Sequence, residues 1–299
     1  MTSVDQTELQ DVDGGSGLAP RRTTAQNAAR ELKRAPVGAK IALVVILAYI
    51  LTALLAPVLA PYGETAIVGS QFGPWSAAHW LGTDTLGRDM ASRMIFAARN
   101  TVAIAFLMTI VTFLIGGTMG LVAATIGGVT DQILSRAVDV LMAIPILIFA
   151  LLLLTIFGTS IPVLVAVIAV LESTRVYRVV RAAAMGVVVM DYVEVARLRG
   201  EGTAWIVGRE VLPNILSPLF AEFGLRFCFI FLLISALSFL GLGLQPPTAD
   251  WGAMVRENAI LITFGDFTPL LPAGAIAILT IAVNTVVDWF LDRTSGLKD

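Results

Sequence analysis

The sequence predicts an all-α polytopic membrane protein with six transmembrane helices and both termini cytoplasmic, and three observations carry that prediction. Hydrophobic residues fill 57% of the 299 positions and charged residues only 14%, against about a quarter charged in soluble domains, and the mean hydropathy is +0.85. Apolar runs of about 20 residues, the length that crosses a bilayer, recur along the chain. Lysine and arginine concentrate in alternate connections, as the cytoplasmic excess of positive charge requires.

The runs lie near residues 39–60, 101–126, 138–157, 161–182, 217–244 and 269–291. The second carries Gly116, Gly120 and Ala124 at four-residue spacing, a stripe that lets another helix approach closely. The fourth passes from IPVLVAVIAVL into Glu172, Arg175, Arg178 and Arg181, whose arginines are long enough to snorkel to lipid headgroups. With the amino terminus inside, 15 of the 20 lysines and arginines are cytoplasmic. Arg88, Arg93, Arg99 and Arg256 then lie outside, and Arg226 within the fifth span. On a helix, Arg88, Asp89, Ser92, Arg93 and Arg99 share one side, opposite Met90, Ala91, Met94, Ile95 and Ala98, the pattern of a segment lying in the membrane interface.

Residues 1–36 hold four early acids, then GGSG and the start of a basic patch, which reads as a disordered cytoplasmic tail before one transmembrane domain over 37–299. A net charge of -2 excludes a nucleic-acid partner. Cys228 is the only cysteine and sits in an apolar run, so disulfides within the chain are excluded and a packing role is expected. His79 is the only histidine; it has no companions for a metal site and reads as solvated or interfacial.

One stretch departs from the apolar pattern. In residues 191–213, Asp191, Arg197, Arg199 and Arg209 would together cost roughly 10 to 14 kcal/mol at the bilayer centre, so the segment is a cytoplasmic loop. Tyr192 to Leu198 favour a short helix, Gly200 is its natural C-cap, Trp205 to Val207 begin a second helix, and Pro213 opens the next span. Glu194 caps or pairs within the loop in this reading. Trp205, Ile206 and Val207 form an apolar cluster on a polar loop, for which a partner protein is the better cover.

Glu194, Ala196, Gly200, Leu212 and Pro213 resemble the EAA loop of ABC importer membrane subunits. HWLGTDTLGRDMASRMIFAARN, 79–100, and FLGLGLQPPTADWGAMVRE, 239–257, are similar to segments of the dipeptide/oligopeptide/nickel family, C-type (DppC/OppC-like). The resemblance covers nearly everything after the tail. Val195 and Glu201 depart from it, standing where alanine and a small residue are usual, which bears on partner selectivity.

The resemblance implies a type I ABC importer (MetI-like) permease fold in the bacterial inner membrane. The subunit would pair with a homologous permease to form half of a path for di- or oligopeptides. It would dock one or two cytoplasmic ATPases through Ala204, Trp205, Ile206 and Val207, and receive cargo from an extracytoplasmic binding protein near Trp80, Asp84, Arg88, Asp89 and Trp251. No G-x-x-x-x-G-K-[ST] occurs, so the chain is expected to bind no cofactor and to be no enzyme, with ATP and Mg on its partners. Nickel, sugars and opines are alternative cargoes. An ion-coupled carrier using Glu222, Arg226 or Asp288, or a membrane scaffold without transport activity, are alternative functions; Glu222 and Arg226, four apart, are expected to pair locally.

Overall fold

A computed structural model describes residues 35–294; the tail expected over 1–36 lies, but for its last two residues, outside them. Among the described residues regular structure is helical, apart from isolated bridges between Ile67 and Arg88 and between Thr83 and Asp89. The helices are α1 (Val37–Leu54), a short α2 (Ala56–Leu59), α3 (Met90–Ile126), α4 (Gly128–Met142), α5 (Ile146–Phe157), α6 (Ile161–Val188), α7 (Asp191–Leu198), α8 (Thr203–Ile206), α9 (Leu212–Phe239), α10 (Trp251–Asn258) and α11 (Leu270–Thr294). Among the described residues four helical runs are long and apolar enough to cross a membrane: α1, α3, residues 203–239 and α11. The α4–α5 pair makes a fifth if counted as one span. The apolar half of α6 runs into Glu172, Arg175 and Arg178, which keeps it out of that set.

Several boundaries differ from the sequence reading for identifiable reasons. The run near 138–157 is not one helix. α4 and α5 meet at 87°, because Pro145 cannot donate a helical hydrogen bond. The segment before residue 101 is not a separate interfacial helix: α3 is continuous for 37 residues from Met90. Asp89 caps it, accepting from the Ser92 backbone N–H at 2.8 Å and the Ser92 hydroxyl at 2.7 Å. Nor does Pro213 restart a helix after a turn. The chain passes from α8 to α9 through a π-helical turn, Val207–Val211, closed by Leu212 N–H donating to the Val207 carbonyl; such a bulge re-routes the ladder where proline lacks a donor.

Small residues set how the bundle packs. α3 lies along α6, with Gly116 against the Ser173 carbonyl and Gly120 facing the Tyr177 carbonyl; a Cβ at Gly120 would stand 2.9 Å from that oxygen. One core joins α3, α5, α6, α9 and α10 through Met108, Leu154, Leu164, Ile168, Phe231 and Trp251. A second, under the 191–213 loop, joins Leu121, Val176 and Val180 to Val193, Ala196, Ile206 and Val211. The bundle thus has a loop end and a far end.

Candidate functional site

At the loop end, α7 stops where Gly200 takes φ +83°. Gly200 N–H donates to the Arg197 carbonyl at 2.9 Å and Glu201 N–H to the Ala196 carbonyl at 3.2 Å, the paired bonds of a Schellman cap. Val193, Ala196 and Ile206 are buried against α3 and α6, and an Arg197 Nη donates to the Thr125 carbonyl at 3.2 Å. The loop is therefore fastened to the bundle on one side. Its other side is open: Tyr192, Val195, Leu198, Ala204 and Trp205 are exposed, Leu198 at 81%.

Two expectations about this loop change. Trp205, Ile206 and Val207 do not form one uncovered patch, because a helical turn points them apart: Ile206 is buried in the chain's own core, Val207 half-buried and Trp205 exposed. Glu194 does not hold the loop's shape, since its side chain is exposed and makes no hydrogen bond or ion pair among the described residues. Leu212 is half-buried and Pro213 exposed in the first turn of α9. The exposed apolar face of the loop instead includes Tyr192, Val195 and Leu198 of α7, which the sequence signals by their three-residue spacing on a polar loop.

At the far end the polar groups turn inward. Asp84 accepts from the backbone N–H groups of Leu86 at 2.8 Å and Arg88 at 2.9 Å, from Arg88 Nε at 2.7 Å and from an Arg93 Nη at 2.5 Å. Glu257 accepts from Arg93 at 2.8 Å and Arg88 at 3.2 Å, tying α10 to the start of α3. Burial alone pushes the Asp84 carboxyl up, but the Arg88 and Leu86 N–H groups and both guanidinium groups outweigh it and hold it below the usual carboxylate range. Arg93 spends one nitrogen on both acids; its Nε and other Nη have no hydrogen-bond partner among the described residues. The polar side of this segment is thus protein-facing rather than headgroup-facing, because two acids neutralise its two buried arginines.

Around this cluster Asp89 is buried and its second oxygen lies 3.1 Å from His79 Nδ1. His79 is accordingly paired, not simply solvated. Trp80 is exposed. Trp251 is 2% exposed, stacks edge-on to Tyr49 and Phe231 and donates to the Met94 carbonyl at 3.2 Å. It is a core anchor for α10 and offers no surface to a delivering protein in this conformation. Next to it Asp250 caps α10 through Ala253 N–H at 2.9 Å and accepts from Thr101 at 2.9 Å. Burial pushes its carboxyl above the usual range against the opposing effect of those bonds.

Between the two ends, Arg226 bridges α9 to α6. Its nitrogens reach Glu222 Oε1 at 3.0 and 2.5 Å and Glu172 Oε2 at 2.8 Å, and all three residues are buried. The local Glu222–Arg226 pair is present, and Glu172 from another helix completes it. Cys228 is buried beside the Thr280 carbonyl, 3.9 Å from it, and burial within the apolar bundle suits its packing role.

Comparison with known proteins gives this arrangement a family. Residues 116–295 match the family described as "Binding-protein-dependent transport system inner membrane component". A glutathione transport system permease protein of Pectobacterium atrosepticum is 34% identical over 224 residues, 75% of this chain and 72% of the relative. A dipeptide transport system permease protein of Alkalihalophilus pseudofirmus is 31% identical over 238 residues, 80% of this chain and 76% of the relative. The corresponding protein of Haemophilus influenzae is 31% identical over 269 residues, 88% and 89% of the two chains. The crystal structure of an amino acid ABC transporter with histidines shares the fold: the TM-score is 0.51 at 20% identity, covering 68% of this chain and 94% of that one. The chain is a multi-pass membrane protein and belongs to the binding-protein-dependent transport system inner membrane components, the permease subunits of ABC importers.

Proposed function

We propose that the chain is one of two homologous permease subunits of an ATP-driven peptide importer in the bacterial inner membrane. The peptide assignment is supported by the di- and tripeptide permeases among its relatives. In this reading the spans are α1, α3, the α4–α5 pair, α6, α9 from about residue 217 and α11, with both termini and the 191–213 loop cytoplasmic, residues 1–36 a tail and 37–299 one permease domain. One or two cytoplasmic ATPases carry ATP and Mg, and a binding protein delivers cargo at the far end near Trp80, with Asp84, Arg88 and Asp89 holding that surface in shape.

The observation that carries the proposal is the two-sided loop. Val193, Ala196 and Ile206 fasten it to α3 and α6, while Glu194, Ala204, Trp205 and the exposed side chains of α7 face away from the bundle. A loop held rigidly between α6 and α9 transmits a push from a docked ATPase to both helices, the rigid-body mode of switching between inward-open and outward-open states. Gly200 sets the angle of that lever, and Val207, Leu212 and Pro213 carry it into α9 without a break.

The test is uptake of a radiolabelled dipeptide by the complete transporter in proteoliposomes. Gly200→Pro forces φ to about −65° and removes the Gly200 donor. The variant is expected to stay folded while losing ATP-driven uptake; full uptake would refute the lever. Uptake driven by an ion gradient without ATP would favour the carrier reading instead.

A further inference from the structure

Two features that hydrocarbon does not tolerate meet midway along α6. The first is Arg175, about 20 Å from either end of the helix at 1.5 Å per residue. Its side chain is 38% exposed and makes no hydrogen bond among the described residues; it stands 4.0 Å from Glu172 Oε1. The second is the break between α4 and α5, where Ala143, Ile144 and Pro145 are exposed and Pro145 has no N–H to offer the Leu141 carbonyl. Both border one cavity of about 120 Å³, walled by Met142, Pro145, Phe149, Leu171 and Thr174.

A charged side chain within a span faces protein or water rather than lipid. Non-helical backbone at that depth is likewise confined to protein interiors and water-filled cavities. Arg175 does not snorkel toward the loop end. It leans back toward Glu172, one turn nearer the start of α6, as side chains on a helix do. Its neighbours Arg178 and Arg181 are taken by Asp139, at 2.7 Å, and by Asp131. Arg226, held between Glu222 and Glu172, fixes the carboxylate that Arg175 approaches. Arg175 is thereby positioned from behind while its five donors stay unspent.

We infer that this cavity opens on the solute path and that Arg175 binds the carboxylate of the passing solute. The inference rests on the peptide reading, since every unmodified peptide ends in a carboxylate, and guanidinium matches that group with paired, charge-assisted hydrogen bonds. Loose binding suits a transit site, because a solute held tightly there would not leave.

The complete transporter, in a Cys228→Ala background that removes its own single cysteine in this subunit, tests the site in two ways. Arg175→Cys is expected to react with a water-soluble, membrane-impermeant thiol reagent, and saturating dipeptide to slow the reaction severalfold. Leu47→Cys, exposed midway along α1, is the lipid-facing control and should not react. In uptake assays Arg175→Gln is expected to lower the maximal rate about tenfold, the loss of one charge-assisted contact. Arg175→Lys should restore most of that rate, and dipeptide affinity for the binding protein should be unchanged. Wild-type uptake combined with an unreactive Arg175→Cys, no protection by dipeptide, or full-rate Arg175→Gln overturns the site alone. A crosslink from Arg175→Cys to the sister permease that dipeptide does not affect also overturns it, assigning the cavity to the subunit interface. Absence of dipeptide uptake by the wild type sinks the peptide reading, and the carboxylate assignment falls with it.

Discussion

Asp84 at the far end accepts four hydrogen bonds from Leu86, Arg88 and Arg93 and is completely buried, whereas Glu194 at the loop end is exposed with no side-chain partner among the described residues. The apolar groups follow the same division. Trp251 at the far end is enclosed by Tyr49, Phe231 and the Met94 carbonyl; Leu198 and Trp205 at the loop end stand open. At the far end the acid and the tryptophan are both enclosed by the chain's own residues. The loop end has a firmly seated underside and an exposed upper surface.

The comparison breaks most visibly at Arg93. Arg93→Met leaves the buried Asp84 and the half-buried Glu257 with Arg88 alone, and losing one partner of a buried ion cluster costs about 3 to 5 kcal/mol. A large fall in the detergent-solubilised thermal midpoint is expected, partly recovered by adding Glu257→Gln. A smaller loss is expected between the ends. In Gly116→Val the new side chain meets the Ser173 carbonyl, and overpacking of this kind costs about 1 to 3 kcal/mol, read as a lower midpoint with the loop intact.

The acid dependence sharpens the far end further. The Asp84 pKa is lowered in the folded protein, so its stabilisation is fully present above the unfolded value of about 3.9 and is lost as pH falls through the folded value. Midpoints of wild type and Asp84→Asn should therefore differ most above about pH 4 and converge as the medium is acidified below it. The smallest effect on stability belongs to the loop end. Leu198→Glu and Trp205→Ala touch exposed positions and should shift stability by no more than about 0.5 kcal/mol, while weakening co-purification with the ATPase.

How much of this was legible in the sequence depends on what each feature answers to. Spans and loop ends answer to composition and local chemistry, so Gly200 as a helix stop could be read from the residue itself. Pairings between distant segments could not. Arg93 with Glu257, and Arg226 with Glu172, join residues 164 and 54 positions apart, and only the packing of α3 on α10 and of α6 on α9 brings them together. The same missing information made Arg88 and Arg93 resemble an interfacial stripe and Trp251 a surface contact. The break at Pro145 was signalled by the proline, but an uninterrupted apolar run masked it. On the loop, the three-residue spacing of Tyr192, Val195 and Leu198 encodes the exposed face of α7, whereas the Trp205–Val207 cluster is divided between surface and core by the helical turn that carries it.

The exposed face of the 191–213 loop is the proposed docking surface for an ATPase, and Leu198 is its most direct probe. A photoreactive amino acid placed there in the assembled transporter should crosslink to the ATPase subunit, and the yield should change when ATP is added. Crosslinks only to lipid or to the sister permease, with none to the ATPase in either nucleotide state, would contradict the account.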